Sequence, residues 1–236
     1  MASTGGRRER LRAETTAEIK QVALTLMATG GPDAITLRAI AREMGMTANA
    51  LYGYFATRDD LINVLINEVY TALADAVDTA WASAPAEDPA GRIRTWARAF
   101  RGWALANPEG FRLIYGDPVP GYQAPERGPA PDAAHRVCTG IAALADAAWP
   151  SARHLYAQSD FQWSDFDDGL LAKVRPAFPD LPPAGVALAL RIWGHLHGLT
   201  ALEIYGHLRT QTTDPGKLFQ EETAQLVRSL GIEPDE

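Results

Sequence analysis

The chain of 236 residues has a single cysteine, Cys138. That excludes an intramolecular disulfide framework and a four-cysteine zinc site, and it fits a reducing compartment in which Cys138 is a small hydrophobe. Lysine is almost as scarce: Lys20, Lys173 and Lys217 are the three among 22 basic residues. Positive charge is therefore carried by arginine, whose planar fork suits phosphate oxygens. No segment offers eighteen charge-free apolar residues, and MASTGGRRERLRAE (1–14) lacks the apolar core of a signal peptide. Neither export nor a membrane span is expected, and the expected location is the cytoplasm. The most apolar run, VALALRIWGHLHGLTALEIYG (186–206), contains Arg191, two histidines and Glu203, the mixture of a helix covered by protein.

Catalytic patterns are lacking too. There is no P-loop, G-x-S-x-G, H-E-x-x-H or strand-linked G-x-G-x-x-G. His135, His154, His195, His197 and His207 have no metal-like spacing, since His195 and His197 at i,i+2 on a helix point apart. Asp165, Asp167 and Asp168 lie close together in FQWSDFDDG (161–169) and read as a solvated loop. Neither enzyme activity nor a cofactor nor a metal site is expected.

What the chain does have is 47% apolar residues at helical spacing, punctuated by proline and glycine. The expected fold is all-α. Charge is uneven: residues 1–58 hold eight Lys/Arg against five acids, a balance of +3, and the remainder carries −10 of the total −7. A basic head on an acidic body points to a nucleic-acid partner for the head alone. A first helix is expected from about Glu9 to Thr29, ended by GGPD (30–33). Thr36 then caps a short helix that Gly45 ends, and Thr47 caps a second, Ala48 to Phe55. A long helix over 58–84 follows, with Leu61, Leu65, Val69, Leu73, Val77 and Trp81 four residues apart. At about 1.5 Å per residue it is about 40 Å long, enough to link two domains. Beyond it, helices are expected over 89–106, after Asn107 and Pro108, over 131–149, near 165–174, over 183–207 and over 215–230. GDPVPGYQAPERGPAP (116–131), with five prolines, reads as a surface loop.

The second short helix carries the stretch MTANALYGYF (46–55). Two alanines, an amide and two tyrosines suit neither a core nor a solvated surface, but they suit close approach to a major groove. Thr47 and Asn49 hydrogen-bond there, Ala48 and Ala50 touch thymine methyls, and Leu51 and Phe55 pack back on Ile40 and Met44.

ITLRAIAREMGMTANALYGYFATRDDLI (35–62) resembles the signature of the TetR family of bacterial transcriptional regulators. In that family a Thr-initiated helix, a Gly turn, an L-Y-x-[HY]-F segment and a charged K/R-x-x-L follow in this order. The resemblance implies a three-helix helix-turn-helix head (1–57, with 1–8 a flexible arm), a connecting helix (58–84) and a helical ligand-binding and dimerisation domain (85–236). It implies that Thr36, Tyr52 and Arg58 contact phosphates, helped by the helix N-terminus at Arg58, that Arg38 reads a guanine, and that Thr47, Ala48, Asn49 and Tyr54 lie along the groove. Arg7, Arg8, Arg10 and Arg12 read equally as a DNA-reaching arm and as a solvated tail. The family often has Gly at Asn49, Ser or Thr at Ala50 and His at Tyr54, so its operators do not transfer.

RGWALANPEGFRLIYGDPVPGY (101–122) and RIWGHLHGLTALEIYG (191–206) resemble a C-terminal domain of one TetR subgroup named for Trp, His and Gly, here Trp193, His197 and Gly198. The resemblance implies a homodimer through the last two helices. Leu188, Ile192, Leu199, Phe219, Leu226, Val227 and Leu230 are the candidate interface residues. Trp96, Phe100, Trp103, Phe111, Tyr115, Trp193 and His197 are candidates for lining a pocket for a small apolar effector. The expected function is a ligand-responsive repressor that binds a palindromic double-stranded operator. A DNA-binding activator, or a regulator without a ligand, would use the same head, and a helical enzyme is the alternative from another class.

Overall fold

The computed structural model of the chain describes residues 4–232, and these contain α-helices and short 3-10 turns with no strand. The α-helices are α1 (Thr4–Gly30), α2 (Leu37–Glu43), α3 (Ala48–Tyr52), α4 (Arg58–Ser83), α5 (Pro89–Ala106), α6 (Pro108–Tyr115), α7 (Pro131–Ala152), α8 (Asp168–Ala177), α9 (Pro183–Ile204) and α10 (Pro215–Ser229). No helix among the described residues is long and apolar enough to cross a membrane.

Helix α1 begins earlier than the arm expected over residues 1–8 allows. Residues 4–8 form its first turn, continuous with the run of good helix formers Arg7, Arg8, Glu9, Arg10 and Leu11 that follows the glycine pair. Residues 1–3 of that arm lie outside the described residues. Helix α3 is shorter than expected and stops at Tyr52 before Gly53, a residue with poor helical propensity.

The chain falls into two compact units. The first comprises the residues up to Tyr70 together with Asn107–Pro131, and the second comprises Thr71–Ala106 and everything from Asp132 onward. The division differs from the expected boundaries at 57 and 84. A downstream segment, α6 and the proline-rich loop after it, belongs with the head, and α4 contributes to both units. In the first unit Ile19, Ala23 and Met27 of α1, Ile35, Leu37, Ile40 and Ala41 at α2, Leu51, Phe55, and Leu61, Ile62, Leu65 and Ile66 of α4 form one buried core with Leu113, Val119 and Ala130.

In the second unit α5, α9 and α10 pack on one another. Phe100, Leu188, Ile192, Leu196, Phe219, Leu226, Val227 and Leu230 are all buried there. Arg101 of α5 forks onto Glu203 of α9, with Nε donating to Oε2 at 2.8 Å and Nη2 to Oε1 at 2.7 Å. Its guanidinium also lies 5.5 Å from the Phe219 ring of α10. Both side chains are largely covered, at 21% and 16% exposure, so losing one partner strands a desolvated charge. Arg101→Met is expected to lower the free energy of unfolding in urea by about 2–3 kcal/mol, and Arg101→Lys, which keeps charge but not the fork, by about half as much.

Candidate nucleic-acid interface

The head is built by two capped helices and a tight turn. Thr36 caps α2, its Oγ1 accepting from Ala39 N at 3.1 Å, and Thr47 caps α3 by accepting from Ala50 N at 3.2 Å. Each hydroxyl keeps its own proton to donate outward. Gly45 turns the chain at φ +63°. Met46 N donates to Ala41 O at 2.8 Å and Gly45 N to Arg42 O at 3.2 Å, the paired bonds that close a helix through a left-handed glycine. Leu37, Ile40, Ala41, Leu51 and Phe55 face the core. The opposite side presents Thr36, Arg38, Thr47, Asn49 and Tyr52 to solvent, with Ala48 and Tyr54 half-buried beside them. Arg38 has no ion pair or hydrogen bond among the described residues, and Tyr52 is 50% exposed.

Two arginines, Arg58 expected at a phosphate and Arg12 read equally as part of a DNA-reaching arm and of a solvated tail, donate to backbone carbonyls. Arg12 donates from Nη2 to Gly53 O at 2.7 Å and lies 4.8 Å over the Tyr54 ring, tying α1 to the end of α3. Arg58 is half-buried. Its Nε, Nη1 and Nη2 donate to Ile35 O, Pro120 O and Pro32 O at 2.5, 2.8 and 3.2 Å. The start of α4 is likewise engaged: Thr57 and Asp60 exchange side-chain-to-backbone bonds at 3.0 Å, and Asp59 accepts from Gln123 N at 3.2 Å. Carboxylates therefore already serve the helix dipole that was expected to favour a phosphate there. Arg7, Arg8 and Arg10 remain exposed along α1.

The seven pocket candidates divide between the units. Phe111 and Tyr115 belong to the first, with ring centroids 5.2 Å apart. Burial, with a further push from Tyr70, raises the Tyr115 hydroxyl well above its ordinary pKa. In the second unit Trp96 stacks on Phe100 at 5.5 Å, Phe100 meets Trp193 edge-on at 5.4 Å, and Trp193 meets His197 at 4.7 Å. Trp103 is buried in the same unit. Burial lowers the His197 pKa, which keeps the ring neutral.

A cavity of about 370 Å³ opens beside Trp96, in the second unit. Trp81, Trp96 and Phe178 form apolar walls, and Asp78, His135, Arg136 and Thr139 a polar rim. Arg136 donates to Asp75 at 2.7 Å and to Asp78 at 2.6 and 2.8 Å, and Arg92 lies 4.3 Å over Trp81. Gly140 opens the wall beside the Trp96 indole: a methyl there would stand 3.5 Å from Nε1. Sequence reading found Trp96 but missed the other walls. Trp81 was visible in the stripe of the long helix, whereas nothing in the spacing of Gly140 or Phe178 marks them.

The candidate interface residues Leu188, Ile192, Phe219, Leu226, Val227 and Leu230 are buried within the single chain, so they form the protomer's own core, and Leu199 is half-buried. The large apolar residues of α9 and its C-cap that remain exposed lie away from that core: Leu190 at 47%, Leu202 at 42% and, at the cap, Tyr205 at 43%. Gly194 and Gly198 lie between them with open space where a Cβ would be. Among the described residues no cluster of three or more His, Cys, Asp or Glu is placed to hold a metal. Asp165 and Asp167 accept backbone N–H groups from Gln162 and Gly169 instead.

Comparison with known proteins accounts for this arrangement. Residues 19–65 match the family described as bacterial regulatory proteins, tetR family, and residues 93–226 match the tetracyclin repressor-like C-terminal domain. HTH-type transcriptional regulators Rv1816 of Mycobacterium tuberculosis and Mb1846 of Mycobacterium bovis are each 33% identical over 235 residues, spanning 95% of this chain and 96% of theirs. The crystal structure of SCO4313, described as a regulatory protein, superposes with a TM-score of 0.70 at 34% identity, covering 93% of this chain and 98% of that one. A tetR-family regulatory protein from Rhodococcus RHA1 shares the fold, with a TM-score of 0.60 at 18% identity over 93% and 98% of the two chains. These matches mark a regulator and not an enzyme, and the chain belongs to the TetR family of helix-turn-helix transcriptional regulators.

Proposed function

We propose that the protein is a cytoplasmic, homodimeric repressor that binds a palindromic operator through α2 and α3 and is released by a small, flat, apolar effector. The observation that carries the operator reading is the exposed row Thr36, Arg38, Thr47, Asn49 and Tyr52 on a pair of capped helices whose other side is fully buried. Short polar and methyl-bearing side chains admit the helix to the groove, and the hydroxyls meet phosphates. The exposure of Leu190 and Leu202 on α9 and of Tyr205 at its end supports dimerisation through this side of the helix, because large exposed apolar groups are best covered by a second copy. The bare Gly194 and Gly198 let two helices approach closely there. Trp193, His197 and Gly198 are the basis for placing the body in the subgroup named for those residues.

The cavity beside Trp96 is the effector site in this reading. Its volume falls in the range of small-molecule pockets, and its walls are flat and aromatic. The rim arginine is already neutralised by Asp75 and Asp78, which argues against an anionic effector. Effector and operator binding must disfavour each other by the same factor if they select different states of the protein.

The test is selection of bound sequences from a random duplex pool, followed by titration of the winner at two salt concentrations. A palindrome with steep salt dependence is expected, and an absence of enrichment would remove the operator reading. Neutral planar aromatic compounds are then screened for release of that duplex. Gly140→Leu, which fills the cleft, is expected to weaken any active compound at least tenfold while changing operator affinity less than about twofold, because a side chain in a preformed pocket displaces ligand directly.

A further inference from the structure

The head includes a segment that sequence order places in the body. The loop over 116–131 is fastened to the first two turns of α4 at three points. Arg58 Nη1 donates to Pro120 O, the Tyr122 hydroxyl donates to Asn63 Oδ1 at 2.5 Å, and Gln123 N donates to Asp59 Oδ2. Val119 and Ala130 are buried in the same core as Ile35 and Leu61. The same Arg58 guanidinium holds Pro32 O and Ile35 O on its other edges, at the turn that delivers Thr36 to the start of α2. One side chain therefore ties two other stretches of chain to α4, with each of its three nitrogens donating to a carbonyl.

We propose that Arg58 is a positioning residue for operator binding, the joint through which the 116–131 strap sets the placement of α2 and α3 on α4. This rests on the operator reading given above. A guanidinium spans three carbonyls because its donors diverge in one plane. A lysine ammonium brings its donors to a single nitrogen and cannot reach all three, yet it would serve about as well against a phosphate. The conservative variant thus separates the two roles. Tyr122→Phe loosens the strap without removing charge and leaves the ring in place, and Tyr122 is not in the DNA-facing row.

The experiment uses the full chain and measures affinity for the selected operator and for a random duplex of equal length, over a range of salt, for the wild type and for Arg58→Lys, Arg58→Gln and Tyr122→Phe. Both Arg58 variants are expected to lose about tenfold or more in operator affinity, with random-duplex affinity within about twofold and the salt slope unchanged, since no phosphate contact has gone. Tyr122→Phe is expected to lose about threefold, on the operator alone, for one hydrogen bond. An Arg58→Lys that binds like the wild type, with Arg58→Gln lowering the salt slope by about one unit, would make Arg58 a phosphate contact and overturn the proposal. Equal losses on operator and random DNA would also overturn it, because they report a smaller folded fraction and not a misplaced reading pair. If the Arg58 variants do not fold, Tyr122→Phe decides the matter: operator affinity equal to wild type rules the strap out. A wild type that enriches no sequence overturns the operator reading itself, whereas a normal wild type with normal variants overturns only the joint.

Discussion

Leu202→Glu is expected to leave a folded protomer that no longer pairs and binds the operator at least a hundredfold more weakly. Leu202 is 42% exposed on α9, as are Leu190 and the cap residue Tyr205 to a similar degree, so its removal opens no cavity in the chain's own core. In a two-fold interface every substitution occurs twice. Losing the burial of two leucines costs about 4 kcal/mol at about 2 kcal/mol each, before the cost of two carboxylates facing each other, and about 4 kcal/mol is close to a thousandfold in dissociation constant. Each half-site must then be held by a single head. Sedimentation velocity reads the pairing, circular dichroism the fold, and an operator titration the consequence. Leu226→Asp is the contrast. Leu226 is 3% exposed in the core of one protomer, and an unpaired carboxylate there is expected to unfold the chain. A Leu202→Glu protein that still sediments as a dimer would remove this face of α9 from the interface.

That contrast shows where sequence reading stopped. Periodicity identified the apolar stripe of α10 and two apolar sides of α9, but a stripe shows only that a face is covered and not by what. Phe219, Leu226, Val227 and Leu230 read as surface for a partner because the resemblance implied a dimer through the last two helices. In the structure they are buried within the chain, where α10 packs on both α5 and α9, and Arg101 of α5 and Glu203 of α9, 102 residues apart in sequence, tie those two helices together. The bare positions Gly194 and Gly198 carried a usable signal, since glycines four apart inside an otherwise apolar helix need a reason to be kept free of side chains.

The head was more legible because its determinants are local. Thr36, Gly45 and Thr47 each act within three or four residues, as caps and a left-handed turn, and all three do so in the structure. What local pattern could not supply was the direction of the long arginines. Arg12 sits in a basic stretch and Arg58 at the start of a helix with two acids after it, yet each finds carbonyl oxygens that only the folded chain assembles, at Gly53, Pro32, Ile35 and Pro120. The inclusion of 107–131 in the first unit is a long-range packing event. Leu113, Val119 and Ala130 are too few and too irregularly spaced to announce it.

Arg38→Ala and Tyr52→Phe are expected to weaken operator binding in different ways, and the difference tests how the head reads DNA. Arg38 stands one residue into α2, exposed and uncommitted among the described residues, so its fork is available for the two acceptors of a guanine. A bidentate contact of that kind is worth about 1–3 kcal/mol against the wrong base. With one copy in each half of a palindrome the full site stands to lose about 2–6 kcal/mol. The loss is expected at one base position per half-site, where Arg38→Ala should accept all four bases while selectivity elsewhere persists. Tyr52 is exposed at the end of α3, and its hydroxyl is suited to a phosphate oxygen, which carries no sequence information. Its loss should therefore weaken every duplex by a similar factor, about fivefold per half-site and about thirtyfold for the two together, for a hydrogen bond of about 1 kcal/mol in each. Binding of each variant to a library with every operator position randomised in turn separates the two outcomes. Equal losses at all positions for both variants would show that Arg38 meets the backbone, and the reading of sequence would then fall to Asn49 and the methyl-bearing alanines of α3.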